Sequence, residues 1–190
     1  MPTPAVAPRQ RRARVAVGVL VALAVVAVLL LSHRFGRAEP TDNYRPPLPP
    51  DALATGCYPL PGGAELDLAH QVRHDGDVDG PEGPRRELRG QYDLVGRDEA
   101  MARMVEAFTS VGFAEQSRED DGDTLSVSLA DGATTVRISA ADLPGTDAET
   151  LVRGEFVLDL PVVAPARPDD PLCSDPKSTK RWDPDQEPTR

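Results

Sequence analysis

The pattern with the clearest chemistry is a run of alternating aspartates. Asp75, Asp77 and Asp79 lie in the run DGDVDG, which matches the first six positions of a calcium-binding loop. Calcium binds several oxygens, and alternate carboxylates on a tight turn supply them. The match then fails, because Arg86 stands at the twelfth position, where a bidentate Glu is needed. We predict an acidic, turn-rich loop from His74 to Pro84 and assign no metal site, with a calcium-responsive domain as the alternative function.

Two histidines near these aspartates are the other candidates for chemistry. His70 and His74 would share a face of a helix and, with the aspartates, could hold a transition metal or supply the base of a hydrolase. However, this segment has the pattern of a strand followed by a loop, which separates them. The chain also lacks G-x-S-x-G, P-loop and G-x-G-x-x-G motifs. We therefore predict no catalytic residue, no cofactor and no enzyme, with a small exported hydrolase as a second alternative.

The two cysteines lie at either end of the region that has folding signals. Cys57 and Cys173 have neither C-x-x-C spacing nor a neighbouring His, so a metal or redox site is not favoured. A bond between them would close a loop of more than a hundred residues, which the chain-entropy relation equates with about 4.7 kcal/mol. We predict a structural disulfide, which persists in an oxidising compartment outside the cytoplasm.

An apolar run near the N-terminus predicts a membrane span. Val15 to Leu31 contains no charged or polar side chain and would be roughly 25 Å long as a helix. Four arginines precede the run and two follow it, which favours a cytoplasmic N-terminus and an extracytoplasmic C-terminal part. We predict a single-pass signal anchor of bacterial type in the cell membrane. A cleaved signal peptide, with the cut after Ala38, stays open as the alternative.

Charge separates the two parts of the chain. The first 37 residues hold six Arg and no Asp or Glu, so the rest holds 15 Lys and Arg against all 31 acidic residues, a formal charge of −16. A surface this negative repels phosphate backbones, so nucleic-acid binding is not expected. The predicted partners are the lipid bilayer, through the transmembrane helix, and an unknown protein of the envelope.

One helix is expected in the exported part. From Asp98 to Val111, apolar residues recur at i, i+3, i+4 and i+7, which is typical of a helix with one face in a core. Asp98 is predicted to cap its first turn, and Gly112 is predicted to end it with a positive φ.

Strands surround this helix. Alternating apolar residues predict strands at 64–72 and 87–95 before it, and at 113–118, 125–129, 136–138 and 151–160 after it. Asp131 and Gly132 form a hairpin turn signal. The order β-β-α-β-β-β-β predicts an α+β fold, a two-layer sandwich of an antiparallel sheet and one amphipathic helix.

The prolines define the remaining segments. We predict five regions along the chain: 1–14 is a basic cytoplasmic tail, 15–33 a transmembrane helix, 34–55 a Pro-rich linker, 56–163 the folded domain, and 164–190 a mostly disordered, Pro-rich tail. Such an acidic domain, disulfide-bonded and held at a membrane, is typical of a binding or accessory protein that acts through protein or envelope contacts.

Overall fold

The computed structural model describes residues 17–23, 25–28, 49–81, 83–132 and 134–182. The chain divides into two units, Met1–Thr41 and Asp42–Arg190. In the first unit, the described residues are helical and exposed. Among the described residues, no helix combines the length and the hydropathy that a membrane crossing requires. The predicted span at 15–33 lies partly outside those residues.

Six antiparallel strands form the second unit, and the prediction of an antiparallel sheet with few helices is confirmed. The strands are β1 (His70–Gly80), β2 (Gly83–Asp93), β3 (Ala114–Asp120), β4 (Thr124–Asp131), β5 (Thr134–Asp142) and β6 (Val152–Pro161). Their order in the sheet is β1-β2-β6-β5-β4-β3, so β6 lies between the β1–β2 hairpin and the β3–β4–β5 meander and joins them. The predicted hairpin turn joins β4 to β5, where Asp131 pairs with Thr134 and Gly132 has a φ of 58°.

Helix α1 (Arg97–Thr109) follows β2 and packs on one face of the sheet, mainly against β4 and β5. The helix buries Met101, Met104 and Phe108, as the spacing predicts. The predicted cap is wrong: Gly96 is the N-cap, with no side-chain hydrogen bond, and Asp98 lies inside the first turn. There its charge still favours the positive end of the helix dipole. Gly112, after the helix, has the expected positive φ, 105°.

A second covering lies over β1 and β2 on the same face as α1. It comes from the segment before the sheet, in which Ala52, Leu60, Ala64 and Leu68 are buried, and from the segment after β6. The predicted strand at 64–72 is therefore wrong in position: its apolar residues pack on the sheet, and the first strand begins only at His70.

Close approach between strands requires glycine at two places. A side chain on Gly154 would collide with the ring of Tyr92, and one on Gly90 would collide with Phe156. Each aromatic ring lies over a glycine of the neighbouring strand, because Tyr92 pairs with Gly154 and Gly90 pairs with Phe156. Both rings thereby cover the backbone of the neighbouring strand and form part of the core.

The segment after β6 contains regular structure where prolines were expected to prevent it. Two helical turns, α2 (Pro171–Ser174) and α3 (Pro176–Thr179), each begin with Pro at a position where its missing N–H costs nothing. Asp170 and Asp175 cap them by accepting backbone N–H groups of Leu172 and Lys177. Residues 183–190 lie outside the described residues.

Candidate functional site

Cys57 and Cys173 join the two segments that cover β1 and β2. Their sulfurs are at disulfide-bonding distance, with the Cα atoms 5.2 Å apart, as predicted. Both side chains are buried, at 0% and 3% exposure. Near the pair, the backbone N–H of Ala166 donates to the carbonyl of Cys57 at 2.8 Å. The bond therefore holds the entering and leaving segments together on one half of the sheet.

The aspartates of the DGDVDG run lie on a strand, and the prediction of a loop there is wrong. β1 continues through Gly80 and pairs with β2, so that Asp77 is opposite Arg86 and Asp75 is opposite Leu88. Asp and Gly favour turns as isolated residues, but opposite charges on facing strands stabilise the ladder instead. The carboxylates that the calcium alternative would need around one cation are therefore spaced along an extended strand.

Arg86 is the largest fully buried side chain of the second unit's described residues. It forms a two-point ion pair with Asp75, whose oxygens accept from Nε and Nη2 at 2.8 and 2.7 Å. The remaining donors reach the carbonyls of Pro59 and Tyr58, both at 2.9 Å. All these partners are needed, because an unpaired charge at this depth would be strongly destabilising.

A second arginine reaches the same carboxylate from the C-terminal segment. Arg181 donates from Nη1 to Asp75 at 2.8 Å and pairs through Nη2 with Asp77 at 2.7 Å. Its guanidinium also lies 4.3 Å from the ring centroid of Tyr58. We call the group of Tyr58, Asp75 and Asp77 the arginine seat, because these three side chains surround the guanidinium of Arg181.

The calcium alternative gains nothing from this arrangement. Both carboxylates that it needs first, Asp75 and Asp77, are already paired with guanidinium groups. Across the described part of the chain, no group of three or more His, Cys, Asp and Glu side chains is arranged to hold a metal ion.

The two histidines lie on opposite faces of the sheet. His70 pairs with the buried Tyr92, whereas His74, beyond a bulge at Val72, pairs with the exposed Arg89. Residues directly opposite on paired strands share a face, so the two rings cannot converge on one ligand. The His70 ring lies 2.8 Å from the carbonyl of Leu68 through Nδ1. The strand and its bulge thus separate the two histidines, which would share a face only if this segment were a helix.

The sheet face opposite α1, here called the open face, consists of half-buried and exposed side chains. Arg85 and Arg137 pair with Asp159 at 2.7 and 3.5 Å, and Arg89 pairs with Glu87 at 2.6 Å. Its charged residues on the paired strands are Arg73, Arg85, Arg89, Arg137, Glu87, Glu119, Glu155 and Asp159. This face is close to neutral, although the chain after residue 37 carries a formal charge of −16.

An open groove of about 870 Å³ lies where α1 begins. Its walls include Asp98, Asp123 and Asp142, and Arg97 pairs with Asp120 at 2.9 Å. Burial, followed by the hydrogen bond to Asp142, raises the pKa of Tyr92, so its hydroxyl stays protonated and donates to that carboxylate at 2.9 Å. Arg97 and Asp120 satisfy each other, as do Tyr92 and Asp142, so these four groups do not specify a ligand.

Sequence patterns missed the arginine seat because its members are far apart in the chain. One signal was present: the acidic run at 75–79 is followed, after PEGP, by arginines at 85, 86 and 89. A hairpin across that turn places opposite charges side by side, which favours strand pairing over a loop. Nothing comparable indicated Arg181.

Comparison of the chain with protein-family models, with curated proteins and with solved structures found no match.

Proposed function

We propose that this protein is a membrane-anchored extracytoplasmic binding or accessory domain that contacts a protein of the envelope through the open face. One N-terminal transmembrane helix would carry a two-layer α+β sandwich. The observation behind the proposal is the near-neutral open face of a strongly acidic domain. Elsewhere the acidic surface repels other acidic proteins, whereas this face carries arginines of the kind that protein interfaces favour.

The contacts on the covered face also support the open face as the binding surface. Both chain segments that leave the sheet are held on the covered face. The disulfide joins them, Arg86 donates to the Tyr58 and Pro59 carbonyls of the first, and Asp75 pairs with Arg181 of the second. Within the described residues, neither segment crosses the open face. Calcium response and hydrolysis have no comparable observation in their favour, because the aspartates are paired and the histidines are apart.

Site-specific crosslinking tests the proposed surface. A photoreactive amino acid would replace Ser139 or Val157, which lie side by side at the centre of the open face. The matched control is Glu106, exposed on α1. In cells that make the full chain, we expect the same discrete crosslinked product from both open-face positions and none from Glu106. Equal products from all three positions, or none from any, would contradict the proposal.

Location is tested separately through the cysteines. In an extracytoplasmic compartment they stay oxidised, so a thiol reagent added to acid-quenched cells should modify neither Cys57 nor Cys173 until reductant is added. Modification of both without reductant would place the domain in a reducing compartment and overturn the proposed location.

A further inference from the structure

The end of the described chain meets the outer edge of β1 at one isolated parallel bridge. The backbone N–H of Asp75 donates to the carbonyl of Lys180 at 3.1 Å, and Asp75 forms a parallel bridge with Arg181. The other edge of β1 pairs with β2 over its length. The outer edge is therefore able to accept an extended segment parallel to it.

The arginine seat adds side-chain recognition to that edge. Arg181 is only 14% exposed and contacts two carboxylates and an aromatic ring through one guanidinium. A planar cation with several donors satisfies all three contacts at once, and a lysine ammonium cannot. The seat therefore combines its two carboxylates with the Tyr58 ring and the edge of β1, and it already holds one guanidinium.

Charge explains why the seat needs a cation. Arg86 is buried in the domain and neutralises Asp75 from one side. Without Arg181, the second carboxylate, Asp77, loses its partner, and the Asp75 oxygen that faces the tail loses a charged donor. An empty seat is thus one positive charge short beside a fully buried carboxylate, so a guanidinium from elsewhere would be bound favourably.

Arg181 is held chiefly by polar contacts. The next residue, Trp182, is 43% exposed, and the last covalent link to the domain is at Cys173, eight residues before Arg181. Segments with few buried apolar contacts open locally at much lower cost than the whole fold. The segment from Lys180 to Trp182 can therefore leave β1 while the sheet and the disulfide remain intact.

From these contacts we infer that the β1 edge with the arginine seat is a second binding site, for an extended, arginine-bearing segment of a protein partner. The chain's own Arg181 fills it as an autoinhibitory contact. This inference rests on the proposed function only in that the ligand is a protein. A short tether gives the internal segment an effective concentration on the order of millimolar. To displace the tail of the unmodified chain, a partner must therefore pair with β1 over more residues than the bridge at Asp75, whereas a shorter peptide can bind once the Arg181 contact is removed.

Peptide binding to the full chain tests this inference. The probe is KSTKRW, the sequence of residues 177–182, labelled for fluorescence anisotropy, and the control peptide is KSTKAW. We expect Arg181→Ala to bind KSTKRW roughly tenfold or more tightly than the unmodified chain, because the internal competitor is weakened. KSTKAW should bind poorly, and adding Asp77→Asn to Arg181→Ala should remove the gain. The matched variant Asp79→Asn, altered at the next carboxylate of the strand, should keep it.

Equal binding of the two peptides, or no gain in Arg181→Ala that retains its circular dichroism, would overturn the inference. Hydrogen exchange in the unmodified chain gives an answer even if the variant does not fold. The amide of Asp75 should exchange faster than that of Leu88 under native conditions, through local opening of the tail. Exchange of both at the rate of global unfolding would also overturn it. Crosslinks from Ser139 and Val157 do not involve this edge, so either proposal can fail alone.

Discussion

The two halves of the covered sheet face are stabilised by different means. Over β3, β4 and β5, one helix contributes Met101, Met104 and Phe108 to an apolar core, and the contacts follow from a short stretch of sequence. Over β1 and β2, the covering consists of two mostly irregular segments with short helical turns, joined by a disulfide and by the ion pairs of Asp75. Irregular segments bury less apolar surface than a helix does. The comparison teaches that a thin covering needs crosslinks and paired charges where a helix needs only periodic packing.

The largest effect should come from breaking the disulfide. Reduction, or replacement of Cys57 and Cys173 by Ser, should lower the free energy of unfolding by about 4 to 5 kcal/mol, because the freed chain gains loop entropy. Denaturant unfolding with and without reductant measures this. The double Ser variant is the control, since reductant should not affect it. A loss below about 1 kcal/mol would show that the end segments pack well enough alone.

Removal of the buried carboxylate should have the next largest effect. Asp75→Ala leaves Arg86 buried without its counterion, and a loss of about 4 kcal/mol is expected for breaking such a pair. Asp79→Ala, on the same strand but exposed, should cost less than about 0.5 kcal/mol. Urea unfolding of both variants makes the comparison. Similar small losses would mean that the ion pairs do not stabilise this half of the sheet.

In the half of the sheet covered by α1, the free energy of unfolding should fall when a cavity is made and change little when an exposed charge is removed. Met104→Ala should cost about 3 kcal/mol, because the side chain is fully buried. Arg103→Ala removes an exposed pair with Glu99 at 2.6 Å and should cost less than about 0.5 kcal/mol. Thermal unfolding, read by circular dichroism, separates the two. A larger loss from Arg103→Ala than from Met104→Ala would reverse the contrast between the halves.

The smallest effect concerns pH and the tail. The Ser178 hydroxyl, followed by the Lys177 backbone N–H, holds the pKa of Asp175 below its ordinary value. A lowered pKa in the folded state stabilises α3 above about pH 4, and this stabilisation is lost as the pH falls through the folded pKa. Amide chemical shifts of Lys177 and Ser178 should therefore move at acidic pH while those of α1 hold. In Asp175→Asn this pH-dependent change of the amide shifts should be absent. If it persisted, another titrating group would be its cause.

Local patterns predicted the parts of this fold that depend on neighbours in the chain. The spacing of Met101, Met104 and Phe108 was sufficient for α1, because a helix brings residues three and four apart together. Asp131 and Gly132 were sufficient for the β4–β5 turn. The first hairpin was mispredicted since Asp and Gly at 75–80 favour a turn locally, and only Arg86 on the facing strand reverses that preference.

By itself, the sequence determined the helix, the order of the strands, the pairing of the two cysteines and the split between a basic N-terminal end and an acidic remainder. Only the tertiary structure decided that β6 joins the β1–β2 hairpin to the β3–β4–β5 meander, that the histidines face opposite ways, and that Asp75 lies between Arg86 and Arg181. The physical reason is range. Periodicity and turn chemistry act over a few residues. The arginine seat instead binds Arg181, which lies more than a hundred residues after Tyr58 and Asp75 in the chain, and at that separation only tertiary packing brings the charges together.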